Sequence, residues 1–158
     1  MQMPDETSSQ EIAYADIVSR LAPCGIDCSR CVYYDLGAVK SLAQELSVAL
    51  EGFGDIASRV ADRVPCLAGY PQFAEVLGFL TEAQCAGCRS GGSALPFCAA
   101  RLCHRENGVD FCFQCPEYPC ERNQFPDNLL QRWRAANDRM REAGIEQYYL
   151  ESLRRPRY

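Results

Sequence analysis

Residues 85–120 read CAGCRSGGSALPFCAARLCHRENGVDFCFQCPEYPC, and the reading of this stretch sets the terms for the whole chain. Cys85, Cys88, Cys98, Cys103, Cys112, Cys115 and Cys120 fall inside it, and Cys85/Cys88 and Cys112/Cys115 have C-x-x-C spacing. That spacing lets two sulfurs on one tight turn reach the same ion, so two such knuckles can close a tetrahedral four-thiolate site. The stretch holds little apolar sequence of its own. Metal–sulfur bonds are therefore its expected source of order, and buried unligated cysteine explains paired, glycine-flanked knuckles poorly.

A second cysteine block lies upstream. LAPCGIDCSRCVYY carries Cys24, Cys28 and Cys31 as C-x-x-x-C-x-x-C, with Gly25 for a tight bend and Asp27 or Ser29 to bond the local backbone. A tetrahedral site built on this triplet needs a fourth ligand, and Cys98, Cys103 or Cys120 could supply it. The spacing does not decide which thiols share an ion. The triplet also matches the spacing of radical S-adenosylmethionine enzymes, but those place it in a large α/β barrel, which 158 residues with few strand patterns do not supply. A plain [4Fe–4S] cluster stays open. Zinc is favoured, because paired knuckles on turns are its commonest protein form.

Two further residues invite the same question. Cys66, alone in VPCLAGYP, is expected to be a buried structural thiol. His104 is the one histidine, and among so many thiols it is expected to be exposed or to orient a ligand. Asp27, Asp110 and Glu117 read as turn formers, and Arg154-Arg155-Pro156-Arg157 as a solvated end.

Around these blocks the pattern is helical. Ile12, Ile17, Val18 and Leu21 form one face of a short helix that Pro23 ends. Leu36, Val39, Leu42, Leu46, Ala49 and Phe53 recur at helical steps. Gly52 and Gly54 interrupt them, Ile56, Val60 and Val64 resume, and a third helix starting at Pro71 carries Phe73, Val76, Leu77 and Leu80 inward. These helices are expected to be the apolar core. After Asp127 or Asn128 as cap, Leu129, Leu130, Trp133, Ala136 and Met140 face inward up to Gly144, and Ile145, Tyr148, Tyr149 and Leu153 make a last helical piece. Strand or turn pieces are allowed only near Val109–Phe113. The predicted fold is mainly α, with a small α+β character possible, its helical core clamped by one or two all-cysteine metal centres. Residues 1–10 read as a disordered lead-in and 11–158 as a single cysteine-rich domain.

Composition bounds the role. The net charge of −5 argues against a nucleic-acid face, which is normally basic. No apolar run is long enough to span a bilayer, and MQMPDETSSQ lacks the basic start and apolar centre of a signal peptide. The cytoplasm is the expected location. Thiols stay reduced there, and the odd total of 11 cysteines fits metal better than disulfides.

The ordered blocks APCGIDCSRC, CAGCRSGG and CAARLCHRENGVDFCFQCPEYPC, followed by RWRAANDRMREAGIEQYYLESLRRPRY, resemble a cysteine-rich bacterial and archaeal family, domain of unknown function 3795. The resemblance implies that Cys24, Cys28, Cys31, Cys85, Cys88, Cys98, Cys103, Cys112, Cys115 and Cys120 occupy motif positions, that Cys66 does not, and that the chain binds metal. The resulting expectation is a non-catalytic zinc module that meets a protein partner. The alternatives are an iron–sulfur protein serving electron transfer or a larger redox enzyme, and a protein that handles thiols or metal through spare cysteines.

Overall fold

Ile17 and Leu21 stand four residues apart, one helical turn, and both are fully buried; the core begins there. The computed structural model describes residues 12–92, 94, 95 and 97–158, so the expected lead-in of residues 1–10 lies outside the described residues. Helix α1 (Tyr14–Arg20) presents these side chains to α6 (Asp127–Ala143) and α7 (Ile145–Leu153). Ile17, Leu21, Phe111, Met140, Ile145 and Tyr149 form one cluster, with Ile12, Val18, Phe113 and Tyr148 packed on it. At roughly 1.5–3 kcal/mol per buried large apolar side chain, this cluster is the main apolar contribution to stability in this half of the chain. The N-terminal and C-terminal periodicities are thus realised, although α6 starts at Asp127 with Pro126 before it and no side-chain cap.

The middle helices differ from expectation. Helices α2 (Ala38–Ala49), α3 (Phe53–Val60) and α4 (Tyr70–Thr81) form where predicted, with Gly52 in the left-handed conformation breaking α2 from α3. They are not the core. Leu36 is 81% exposed, and Leu42, Leu46, Val48, Ile56, Val64, Phe73, Val76 and Phe79 are also exposed. Only Ala43, Ala57 and Leu77 are buried within these helices. The physical reason is pairing: α2 and α4 pack on one another, and a helix pair can bury only the seam between its members.

Helix α5 (Ala100–Glu106) lies inside the cysteine-rich stretch, where no helix was expected. The Val109–Phe113 region contributes only the 3₁₀ turn Cys112–Gln114. Among the described residues the extended pairings are two isolated bridges, Leu21 with Asp27 and Tyr34 with Cys85, so the small α+β alternative is not realised. No helix of the described residues is long and apolar enough to cross a membrane.

Candidate metal centres

The first cysteine loop is shaped by backbone bonds before any thiol is considered. Cys28 N–H donates to the Arg20 carbonyl at 2.8 Å, Ala22 N–H to Ile26 at 2.8 Å, and Cys31 N–H to Cys28 at 3.0 Å. Asp27 does what its position predicts: its carboxylate accepts from the Ser29 amide at 2.9 Å and from Arg30 Nε at 2.6 Å. Gly25 turns with φ +85°, and a Cβ there would lie 2.9 Å from Met140 Cε and 3.2 Å from Ala136 Cβ. Gly25→Ala is expected to cost about 1–2 kcal/mol, mainly from the left-handed backbone, as read by urea unfolding of the reduced protein.

The C-terminal helix and tail wrap this loop. Arg30 donates to the carbonyls of Ser152 (2.8 Å) and Arg155 (3.1 Å), Tyr148 hydroxyl donates to Gly25 (2.8 Å), and Arg157 Nε donates to Asp27 (3.2 Å). The expected solvated end is instead folded back at Arg157, while Arg154 and Arg155 stay exposed.

The ten motif thiols fall into two adjoining groups. Cys103, Cys112, Cys115 and Cys120 line one small cavity of about 20 Å³, together with His104 and Tyr118. Cys24, Cys28, Cys31, Cys85, Cys88 and Cys98 line a cleft of about 590 Å³. The two C-x-x-C knuckles, which the spacing suggests as a single four-thiol constellation, therefore lie in different groups. Cys85 is held by the first loop, its N–H donating to the Tyr33 carbonyl at 2.8 Å and its own carbonyl accepting from Asp35 at 3.0 Å. Cys112 and Cys115 close instead on α5, which carries Cys103. Cys24, Cys98 and Cys112 are buried beside Trp133 in one apolar cluster where the groups meet. All eleven cysteines are thiols, none joined in a disulfide.

These groups surround spaces and are not closed coordination shells. Among the described residues no three His, Cys, Asp or Glu side chains stand close enough to share one ion. A tetrahedral zinc, about 2.3 Å from each sulfur, would require the thiols to draw together from the positions they hold here.

Burial keeps the thiols neutral in the ion-free chain. It pushes Cys112 up to about 12 and raises Cys24, Cys98 and Cys103. Cys28 is raised first by its hydrogen bond with the Cys88 thiol and then by burial. A folded-state value above the ordinary one stabilises the fold below that ordinary value and is lost as pH rises through the folded value. The ion-free chain should therefore weaken between pH 9 and about 12, as followed by thermal melts across that range.

Two residues outside the cysteine motifs matter here. Trp133 is buried, its ring edge-on to Tyr118 (5.0 Å) and Phe125 (5.9 Å), and its indole N–H makes no hydrogen bond to nitrogen or oxygen among the described residues. The same N–H lies toward Cys112, where it favours the thiolate. The two statements fit one picture: a neutral thiol leaves the N–H unpaired, and a thiolate would draw it in. Asn137 is fully buried; its Oδ1 accepts from Phe113 N–H (3.0 Å), and its Nδ2 donates to the carbonyls of Cys24 (3.1 Å) and Trp133 (2.9 Å).

His104 departs from the exposed alternative. It is buried, lines the small cavity, and its Nδ1 lies 2.7 Å from the Ala100 carbonyl, the geometry of an N–H donor. Cys66 departs as well: it is exposed, on the 3₁₀ turn Pro65–Gly69, and stands apart from both thiol groups. Asp110 accepts from the Tyr14 hydroxyl at 2.8 Å and so ties α1 to the cysteine stretch.

A family model described as a protein of unknown function, DUF3795, matches residues 20–125, which span both thiol groups up to the start of α6. No curated protein and no solved structure matches the chain.

Proposed function

The chain belongs to the DUF3795 family of proteins of unknown function, and from the grouping of its thiols we propose that it is a zinc-binding protein-interaction module. Cys103, Cys112, Cys115 and Cys120 would hold one ion, and four of the six thiols lining the wider cleft would hold a second. The observation that carries this reading is four thiols lining a cavity of about 20 Å³. Four thiols are the number and donor type of a tetrahedral structural zinc site, which they would form by closing on one ion. The all-sulfur donor set fits zinc, and the unpaired Trp133 N–H is accounted for by a thiolate at Cys112. The ion's contribution there is structural: it fixes α5, the Cys112–Cys115 knuckle and Cys120 against Trp133.

The wider cleft supports a second reading. Its volume admits a larger inorganic group, and the C-x-x-x-C-x-x-C triplet lies on its wall, so an iron–sulfur cluster is the alternative at this position. Elemental and sulfide analysis of anaerobically purified protein decides. Zinc near two per chain without sulfide is the expected result. Iron with acid-labile sulfide would move the assignment to the cluster, and neither metal would end the metal reading.

The exposed apolar side chains of α2, α3 and α4 support a protein partner, since patches of this kind mark interaction sites. Cytoplasmic residence, where thiols stay reduced, accords with this proposal.

Two outcomes test the small centre. Zinc titration into the ion-free chain should release roughly one proton per ligating thiol, read with a pH indicator in weak buffer, because the ligands start protonated and must ionise. Trp133→Phe keeps one aromatic ring in the cluster and deletes the donor. In the ion-free variant, relief of an unpaired buried donor, about 1–3 kcal/mol, is set against the void left by the smaller ring, so its stability should stay close to the parent's. Its zinc affinity should drop about tenfold in chelator competition, the scale seen for groups that support a ligand. Unchanged affinity would remove Trp133 from the site.

A further inference from the structure

The wide cleft has a lining that metal binding does not explain. Among the described residues Arg30, Arg132, Arg139, Arg155 and Arg157 border it, against one acidic residue, Asp27. This concentration occurs in a chain whose net charge is −5. Asp27 is buried and already committed to Ser29 and Arg30. Arg30 and Arg139 are used up in turn, the first on Asp27 and two carbonyls, the second on Glu151.

The other three arginines keep donors to spare. Arg132 is exposed and makes no hydrogen bond or ion pair among the described residues. Among the described residues the Arg155 guanidinium meets only Glu151, at 3.4 Å, with its side chain 67% exposed. Arg157 commits its Nε to Asp27, while its guanidinium lies 4.8 Å from the Tyr158 ring centroid. The remaining wall is apolar and aromatic, with Tyr33, Leu129, Ala136 and Phe125 on it. A concave site of about 590 Å³, mostly apolar with arginines on its border, has the dimensions and make-up of a small-molecule site.

We infer that this cleft binds a small organic anion, its carboxylate or phosphate head on Arg132, Arg155 and Arg157 and its apolar body against Tyr33 and Phe125. Guanidinium groups offer paired N–H donors that match either oxyanion, which is why the two heads share one chemistry. The ligand would lie over the thiols of the first cysteine loop. The inference does not rest on the identity of the ion those thiols hold, but four thiolates on one zinc would add a net negative charge that the arginines must outweigh.

The test is calorimetric titration of the full reduced chain, as purified, with 1-naphthyl phosphate, 1-naphthoate and 1-naphthol. At least one of the two anions should bind tenfold or more tighter than the neutral naphthol, with affinity falling as salt is raised. Binding of the phosphate alone, the carboxylate alone, or both supports the site and names its head group. Arg132→Ala and Arg155→Ala should each weaken the bound anion about tenfold, the scale of one charge-assisted contact. Both residues are exposed, so the variants should melt like the parent.

Equal binding of naphthol, no binding of either anion, or indifference to both arginine changes would overturn the inference. Metal content measured on the same samples separates this outcome from the zinc proposal. A metal-loaded chain that ignores the anions sinks only the anion site, and a metal-free chain that binds them sinks only the metal reading.

Discussion

Cys112→Ser is expected to leave the purified chain one zinc ion short and to lower its melting temperature by about 10 °C or more. Cys112 lines the small cavity with three other thiols, and its N–H is fixed by a 2.8 Å bond to the Pro23 carbonyl of the first cysteine loop. Serine preserves that backbone bond and the side-chain size but removes the sulfur that zinc prefers. Structural zinc contributes about 10–16 kcal/mol in peptides that have no other core. This chain has a separate apolar cluster around Ile17, Phe111 and Tyr149, so only part of that sum should appear as lost stability. A loss of about 4–5 kcal/mol corresponds to a shift of about 10–20 °C for a chain of this size. Chelation of the parent protein should reproduce the shift, and chelation of the variant should add less. Cys66→Ser, on an exposed turn away from both groups, is the control and should change neither zinc nor melting. The result that sinks the small centre is a Cys112→Ser chain with full zinc. A modest stability loss alone would reflect only a hydroxyl placed in an apolar cluster.

How far the residues announced this arrangement depends on the range of the interactions involved. Helix α1 and the pair α6–α7 were legible, because Ile17, Leu21, Met140, Ile145 and Tyr149 follow the helical period and are in fact covered. The same period in α2 and α4 gave the helices correctly and their burial wrongly. Amphipathicity says that a stripe exists, and it does not say what lies against it; Leu42 and Val76 stay exposed among the described residues. Helix α5 was hidden because ARLCHRE is too short for a periodic signal and sits among turn-forming glycines. The division of the thiols was also hidden. Spacing shows which two sulfurs share a turn, whereas the meeting of Cys28 with Cys88 depends on the bridge between Tyr34 and Cys85. Phe111, Trp133 and Asn137 matter through contacts with distant segments, and only Trp133 had a periodic position to flag it.

Asn137→Leu should then be the most damaging change outside the cysteines. Asn137 lies fully buried on α6 with both ends of its amide in use, toward Phe113 on one side and Cys24 on the other. It joins the first cysteine loop to the knuckle of Cys112 and Cys115, beside the bond from Cys112 to Pro23 and the Arg89 bridge from Leu21 to Asp110. Leucine has the same number of side-chain heavy atoms but is bulkier, so some overpacking adds to the loss of partners for the Phe113 amide and the Cys24 carbonyl. Each orphaned buried group costs about 1–3 kcal/mol, which puts the expected loss at about 3–5 kcal/mol in urea unfolding. Asn137→Asp should be no better: it keeps an acceptor for Phe113, but it places a carboxylate oxygen against the Cys24 and Trp133 carbonyls and buries a charge. Because the amide spans both thiol groups, Asn137→Leu should also speed zinc loss to a chelator from both centres, whereas Gly25→Ala acts chiefly on the first loop. A leucine variant within about 1 kcal/mol of the parent, with unaltered zinc release, would mean that the two groups are held together by packing around Trp133 and that the amide is dispensable.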